Sequence, residues 1–230
     1  MHYAYRLCSH SSALPPLPPL KSYNDDMKSL YRQARFLVAA AHPKQFPEDQ
    51  GWEVAFAGRS NAGKSSVINR LCEQKALART SKTPGRTQQI IFFQLDDTRR
   101  LVDLPGYGYA KAPPGEKAAW ARVIERYLNE RRALQGIVLV VDARHPGKPF
   151  DIQMLQWCAH SGLPALVLLN KADKLKRGAL AQAQRDMKRL VDELGAEAEV
   201  IPFSALRGEG TEAAKAWLDR QLGGTAEAEE

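Results

Sequence analysis

Gly58-Arg59-Ser60-Asn61-Ala62-Gly63-Lys64-Ser65 is the stretch on which the fold of this 230-residue chain turns. It follows the apolar run Trp52 to Ala57 and opens the amphipathic run Lys64 to Leu71, so its glycines, lysine and serine fall where a strand hands over to a helix. That spacing is the phosphate-cradling P-loop pattern. Glycine lets backbone N–H groups close around phosphate oxygens with no Cβ in the way, and the helix N-terminus adds partial positive charge. Lys64 is placed to reach the β and γ phosphates of a nucleotide, and the Ser65 hydroxyl to ligate magnesium.

Outward from this loop, short apolar runs alternate with amphipathic stretches, which predicts a mostly parallel sheet covered by helices on both faces. Ile90 to Leu95 and Leu101 to Asp103 read as a strand pair around Asp96-Asp97, an antiparallel edge on the sheet. Ile137 to Val141 and Ala165 to Leu169 are continuous apolar runs of the fully buried kind, and Glu199 to Phe203 is the last strand. Helices are expected over Glu116 to Arg132, around Asp151 to His160, over Gly178 to Leu194 and over Thr211 to Leu222. In the first of these Trp120, Val123, Ile124, Tyr127 and Leu128 share one face as core residues. A further helix is expected from Asp25 to Ala41, packed as an accessory on the domain and ended by Pro43. The fold class is therefore α/β, a P-loop nucleotide-binding fold with a six-stranded sheet.

Composition sets outer limits. Apolar residues make up 44% and charged residues 26%, the balance of an ordinary globular protein. Three scattered cysteines fit a reducing compartment better than a disulfide framework. No apolar run approaches the roughly 20 residues of a membrane span, and residues 1–20 lack the basic-then-apolar order of a secretory signal, so a cytoplasmic location is expected. Leu14-Pro15-Pro16-Leu17-Pro18-Pro19-Leu20 makes residues 1–22 a Pro-rich flexible leader; a single nucleotide-binding domain occupies 23–222, and 223–230 is an acidic disordered tail. The net charge of +7 suits a polyanionic partner such as RNA, and a basic solvated surface equally.

Further motifs select the nucleotide. Asp103-Leu104-Pro105-Gly106 puts a carboxylate at the end of an apolar strand, where it can hold magnesium through a water while the Gly106 N–H faces a γ-phosphate. Asn170-Lys171-Ala172-Asp173 follows the buried strand Ala165 to Leu169. An aspartate there can accept hydrogen bonds from guanine N1–H and its 2-amino group, and adenine offers neither donor. Asn170 would tie that loop to the P-loop, and the Lys171 stem would lie along the base. Phe203-Ser204-Ala205 after the final strand supplies a backbone N–H near Ala205 for the base O6. Within Gly85-Arg86-Thr87-Gln88-Gln89, Thr87 is the candidate for a second magnesium hydroxyl, and Thr80, Ser81 and Thr83 offer the same group. Lys64, Thr87 and Gly106 are the candidate catalytic residues, with GTP or GDP and Mg²⁺ as the bound groups.

The set of motifs resembles the EngB/YihA family of bacterial ribosome-assembly GTPases. The likeness is carried by Gly58 to Ser66, Thr80 to Gln88, Asp103 to Tyr109 and Asn170 to Asp173, and extends over about Gln45 to Leu222. It implies a GTPase that acts in assembly of the large ribosomal subunit, with a link to cell division and septation; the basic stretch Lys75, Arg79, Lys82 and Arg86, with Arg99 and Arg100, suits rRNA contact, and a solvated loop nearly as well. It also matches Asn61 to an asparagine that binds K⁺ in related GTPases. Tyr107 stands where many GTPases keep a water-orienting glutamine, which predicts slow intrinsic turnover. The alternative is a GTP-dependent scaffold of the division machinery. A monomer is expected.

Overall fold

Seven apolar runs become the strands of one sheet in the computed structural model, which describes residues 30–78, 89–106 and 114–223, the side chains of 114–120 excepted. The strands are β1 (Arg35–Ala40), β2 (Trp52–Gly58), β3 (Ile90–Gln94), β4 (Arg99–Asp103), β5 (Leu134–Asp142), β6 (Ala165–Asn170) and β7 (Ala198–Pro202). The helices are α1 (Lys64–Leu71), α2 (Pro114–Glu130), α3 (Pro149–Ser161), α4 (Arg177–Leu194) and α5 (Thr211–Gln221). The sheet order is β1-β3-β4-β2-β5-β6-β7, with β4, β2, β5, β6 and β7 mutually parallel and β3 antiparallel to both of its neighbours.

The central strands read as unbroken apolar runs because both of their faces are covered. Val54, Phe56, Val138, Val140, Leu166 and Leu168 point to one side, where Val67, Ile68 and Leu71 of α1 and Ala214, Trp217 and Leu218 of α5 close over them. Ala55, Ala57, Ile137, Leu139, Val167 and Leu169 point to the other, against Ile124 and Tyr127 of α2, Met154 and Leu155 of α3, and Met187 and Val191 of α4. The period-2 alternation of strand side chains thus splits the interior into two cores separated by the sheet.

The N-terminal expectation is corrected. Within the predicted Asp25 to Ala41 helix, Leu30 to Arg32 are helical but Arg35–Ala40 is a strand, paired antiparallel with β3 through Phe36↔Phe93, Val38↔Phe92 and Ala40↔Ile90 around a bulge at Leu37. The open hydrogen-bonding edge of β3 captures this segment, and Ala40 is fully buried there. Tertiary pairing overrides a local pattern that alanines had tilted towards helix. The sheet accordingly has seven strands in place of six, with β1 outside the antiparallel β3.

The parallel strands all end on the same side. Register places Phe56 opposite Asp103, Gly58 opposite Val140, and Asp142 opposite Asn170, so the segments that follow β2, β4, β5, β6 and β7 gather at one rim. In open α/β sheets this carboxyl rim is where ligands bind.

Candidate functional site

At the end of β2 the backbone turns sharply into α1. A Cβ on Gly58 would lie 2.7 Å from the Val140 carbonyl oxygen, so only glycine permits β2 and β5 to approach this closely. Asn61 (φ 64) and Gly63 (φ 95) both take the left-handed conformation, which asparagine tolerates and glycine adopts without strain. Internal hydrogen bonds run from Ala62 N–H to Arg59 O and from Val67 N–H to Gly63 O. Among the described residues, the N–H groups of Asn61, Gly63, Lys64 and Ser65 find no protein acceptor, which leaves a row of donors at a helix N-terminus suited to an anion. Arg59 and Ser60 complete the turn into this row.

Lys64 and Asp103 meet in an ion pair across the mouth of the loop, both side chains largely buried. Leu104 is anchored by its N–H to Phe56 O at 3.0 Å, and Gly106 passes so near Ser60 that a Cβ on it would sit 3.4 Å from the Ser60 nitrogen. The carboxylate, the ammonium and the Gly106 backbone therefore border one small region. Pro105 is buried beside them.

The Asn170 side chain is almost fully buried and uses both ends of its amide: Nδ2 donates to Ala62 O at 2.8 Å, and Oδ1 accepts from Ala205 N–H at 3.2 Å. One side chain thus joins three loops, as the sequence reading expects for its link to the P-loop. A Cβ on Gly63 would lie 2.4 Å from Asn170 Nδ2, a second reason for glycine there. Lys171 (φ 65) sends Nζ to Asn61 O at 2.6 Å and to Asp142 Oδ2 at 2.9 Å. Buried Ala172 donates its N–H to Phe203 O at 3.0 Å, fixing the loop after β6 to the loop after β7.

The Asp173 side chain is 5% exposed, and its Oδ1 accepts from Ser204 Oγ at 2.7 Å. The Ser204 hydroxyl, with a smaller contribution from Lys174, holds its carboxyl below the usual carboxylate range, so it is an acceptor at neutral pH. Ser204 Oγ in turn accepts from Arg207 N–H at 3.1 Å. Because Ala205 N–H is engaged with Asn170, the neighbouring donor without a protein acceptor among the described residues is Leu206 N–H, at an exposed position.

Gln89 is exposed just before β3, whereas Gly85, Arg86, Thr87 and Gln88, together with Thr80, Ser81, Thr83 and Tyr107, lie outside the described residues. The sequence reading missed Asp142. Burial alone would raise its carboxyl, but the hydrogen bonds from Arg144 and Lys171 outweigh that and hold it well below the carboxylate range. The signal was present: like Asp103 and Asn170, it is a polar residue capping a buried apolar strand on the rim.

A P-loop on this sheet, with a lysine and an aspartate at its mouth and an Asn-Lys-Ala-Asp loop fastened to it, defines the class: a P-loop GTPase. The family model described as "50S ribosome-binding GTPase" matches residues 53–171, and that of the elongation factor Tu GTP-binding domain matches 121–222. A protein of Nitrosococcus oceani named "Probable GTP-binding protein EngB" is 56% identical over 197 residues, covering 86% of this chain and 98% of the relative. Its namesake in Xanthomonas euvesicatoria is 50% identical over 198 residues, with 86% and 96% covered. The chain belongs to the EngB family of GTP-binding proteins. Among solved structures, a GTP-binding protein engB superposes with a TM-score of 0.59 at 25% identity, over 75% of this chain and 100% of that one. Era in complex with MgGDPNP and nucleotides 1506–1542 of 16S ribosomal RNA shares the fold, with a TM-score of 0.56 at 22% identity over 79% and 59% of the chains.

Proposed function

We propose that this chain is a nucleotide-timed switch in assembly of the large ribosomal subunit, and through that role serves normal cell division and septation. The observation that carries the nucleotide half is the buried Asn170 amide, which locks the base-facing loops to the P-loop so that base and phosphates are read by one rigid unit. The ribosomal half is supported by the family model's description, by the net charge of +7, and by the Era structure, in which a protein of this fold is bound to rRNA. We place the protein in the cytoplasm as a monomer; among the described residues no helix is long and apolar enough to cross a membrane.

In this reading the N–H row of the P-loop and Lys64 hold the phosphates, Asp173 takes the guanine N1–H and 2-amino donors, and the Leu206 N–H next to Ala205 serves O6. Ser65 and Asp103 offer the hard oxygen donors that suit Mg²⁺, and the Lys64–Asp103 contact puts that carboxylate at the phosphate end of the site. With Thr87 offering a further hydroxyl, these residues would hold the ion, which when bound would supply charge neutralisation to the phosphates. Lys64 and the Gly106 N–H stabilise charge on the γ-phosphate as water attacks in line. With Tyr107 in place of a glutamine, intrinsic turnover is slow and hydrolysis times release from the particle.

Co-sedimentation with isolated large ribosomal subunits tests the ribosomal half. Binding is expected with a non-hydrolysable GTP analogue and not with GDP. Binding that ignores the nucleotide, or no binding, removes the assembly role and favours a division scaffold. A second expectation concerns K⁺: left-handed Asn61 sits at the P-loop tip where a monovalent cation would assist, so GTP hydrolysis should be faster in K⁺ than in Na⁺. Equal rates in the two salts remove K⁺ from the site.

A further inference from the structure

We infer that Asp142 is a positioning residue for the guanine base, acting through Lys171. This rests on the reading of the Lys171 stem as one wall of the base pocket. Asp142 closes β5 directly opposite Asn170, and its side chain is 17% exposed. Its Oδ2 accepts from Lys171 Nζ at 2.9 Å, and the same Nζ donates to Asn61 O at 2.6 Å. The head of one lysine therefore bridges the end of β5 and the tip of the P-loop.

On its other side the carboxylate is gripped by Arg144, with Nε at 2.9 Å from Oδ1, Nη2 at 2.7 Å from Oδ2, and the Arg144 backbone N–H at 3.1 Å from Oδ1. This fork fixes the carboxylate plane, as bidentate arginine does. Lys171 has a left-handed backbone, rarely adopted by a long side chain, and a long stem with much rotamer freedom to lose. Pinning its ammonium between two oxygens on different elements settles that freedom before any ligand arrives, so the stem is already a flat apolar surface when a purine slides against it. Asp142 supplies the only negative charge among these partners. Neutralising it leaves Nζ and Arg144 with an uncharged acceptor at most and removes the two-oxygen fork that holds them both.

The test is the dissociation rate of a fluorescent GDP analogue from the full chain, measured for wild type, Asp142→Asn, Lys171→Met and the double variant. Asp142→Asn is expected to speed release roughly tenfold, the size of one charge-assisted hydrogen bond. In the Lys171→Met background it should add nothing, since the group it acts through is gone. Asp142→Glu, which returns the charge on a longer stem, should recover part of the difference and also shows that a fault in Asp142→Asn is not mere misfolding. Unchanged release in Asp142→Asn, or the same acceleration with and without Lys171, overturns the inference while leaving guanine binding intact. A wild type that holds no GDP overturns both this inference and the guanine reading.

Discussion

Asp173→Asn is expected to lose affinity for GDP and GTP on the order of 10⁴-fold and to take xanthine nucleotides in their place. The size follows from leaving a matched polar site unpaired. The Asp173 side chain is 5% exposed, and the Ser204 hydroxyl that donates to it holds its carboxyl below the usual carboxylate range. Its Oδ2 lies 3.6 Å from Lys174 Nζ, and in the proposed guanine reading the lone pairs left over take the two donors that the base brings. An amide has one accepting oxygen and one donating NH₂ in place of two accepting oxygens. Ser204, already receiving Arg207 N–H, donates into Oδ1, so that oxygen stays on the Ser204 side and the new NH₂ is turned towards the base. There it meets the guanine 2-amino group, donor against donor. Xanthine carries a carbonyl at that position and restores the pairing. Titrating fluorescent GDP and XDP against wild type and variant reads the exchange. A variant that keeps its preference for GDP would show that Asp173 does not read the base.

How much of this could be read without coordinates depends on how local the physics is. The P-loop, the Asp103 turn and the Asn170–Asp173 loop are each set by a few adjacent residues at a strand end, and all three lie on the rim where the strand pattern puts them. The buried strands were legible because a strand covered on both faces must be apolar throughout. β1 was not: its alanines favour helix, and only the vacant edge of β3, more than fifty residues later in the chain, makes it a strand. Asp142 was overlooked because one aspartate after an apolar run reads as a turn until Lys171 and Asn61 are seen to meet beside it. The ring of charge around Glu53 was hidden for the same reason, since its members are dispersed along the chain and each alone looks like a surface residue.

Glu53→Ala is expected to destabilise the fold by about 3–5 kcal/mol, the cost of removing one partner of a buried charge pair. Glu53 lies in β2 with its side chain 0% exposed, and all of its carboxylate is engaged: Oε1 with Arg131 Nη2 at 2.6 Å and Arg100 Nη1 at 3.2 Å, Oε2 with Arg131 Nε and the Tyr127 hydroxyl, each at 3.0 Å. Burial, with the carboxylate beside it, pushes the Tyr127 hydroxyl well above its usual pKa, so it remains a donor. Arg131, its side chain 5% exposed, also donates to Pro47 O at 2.7 Å and Glu48 O at 3.1 Å and stands over the Phe92 ring. One carboxylate therefore fastens the residues just past α2, the segment before β2 and the neighbouring strand β4. Truncation leaves two guanidinium groups facing a cavity where their shared carboxylate stood, with Asp49, 3.5 Å from Arg131 Nε and 36% exposed, as the one acid still paired to Arg131 among the described residues. Glu53→Gln should recover little, because its NH₂ presents a donor to donors. The loss belongs to the opposite end of β2 from the P-loop, roughly 16 Å away at about 3.3 Å per residue. The folded fraction should thus keep its preference for GDP over XDP while the urea midpoint falls steeply. A drop below about 1 kcal/mol would place the ring among the weak surface pairs, and a lost base preference would mean that strain at this end of β2 travels its whole length.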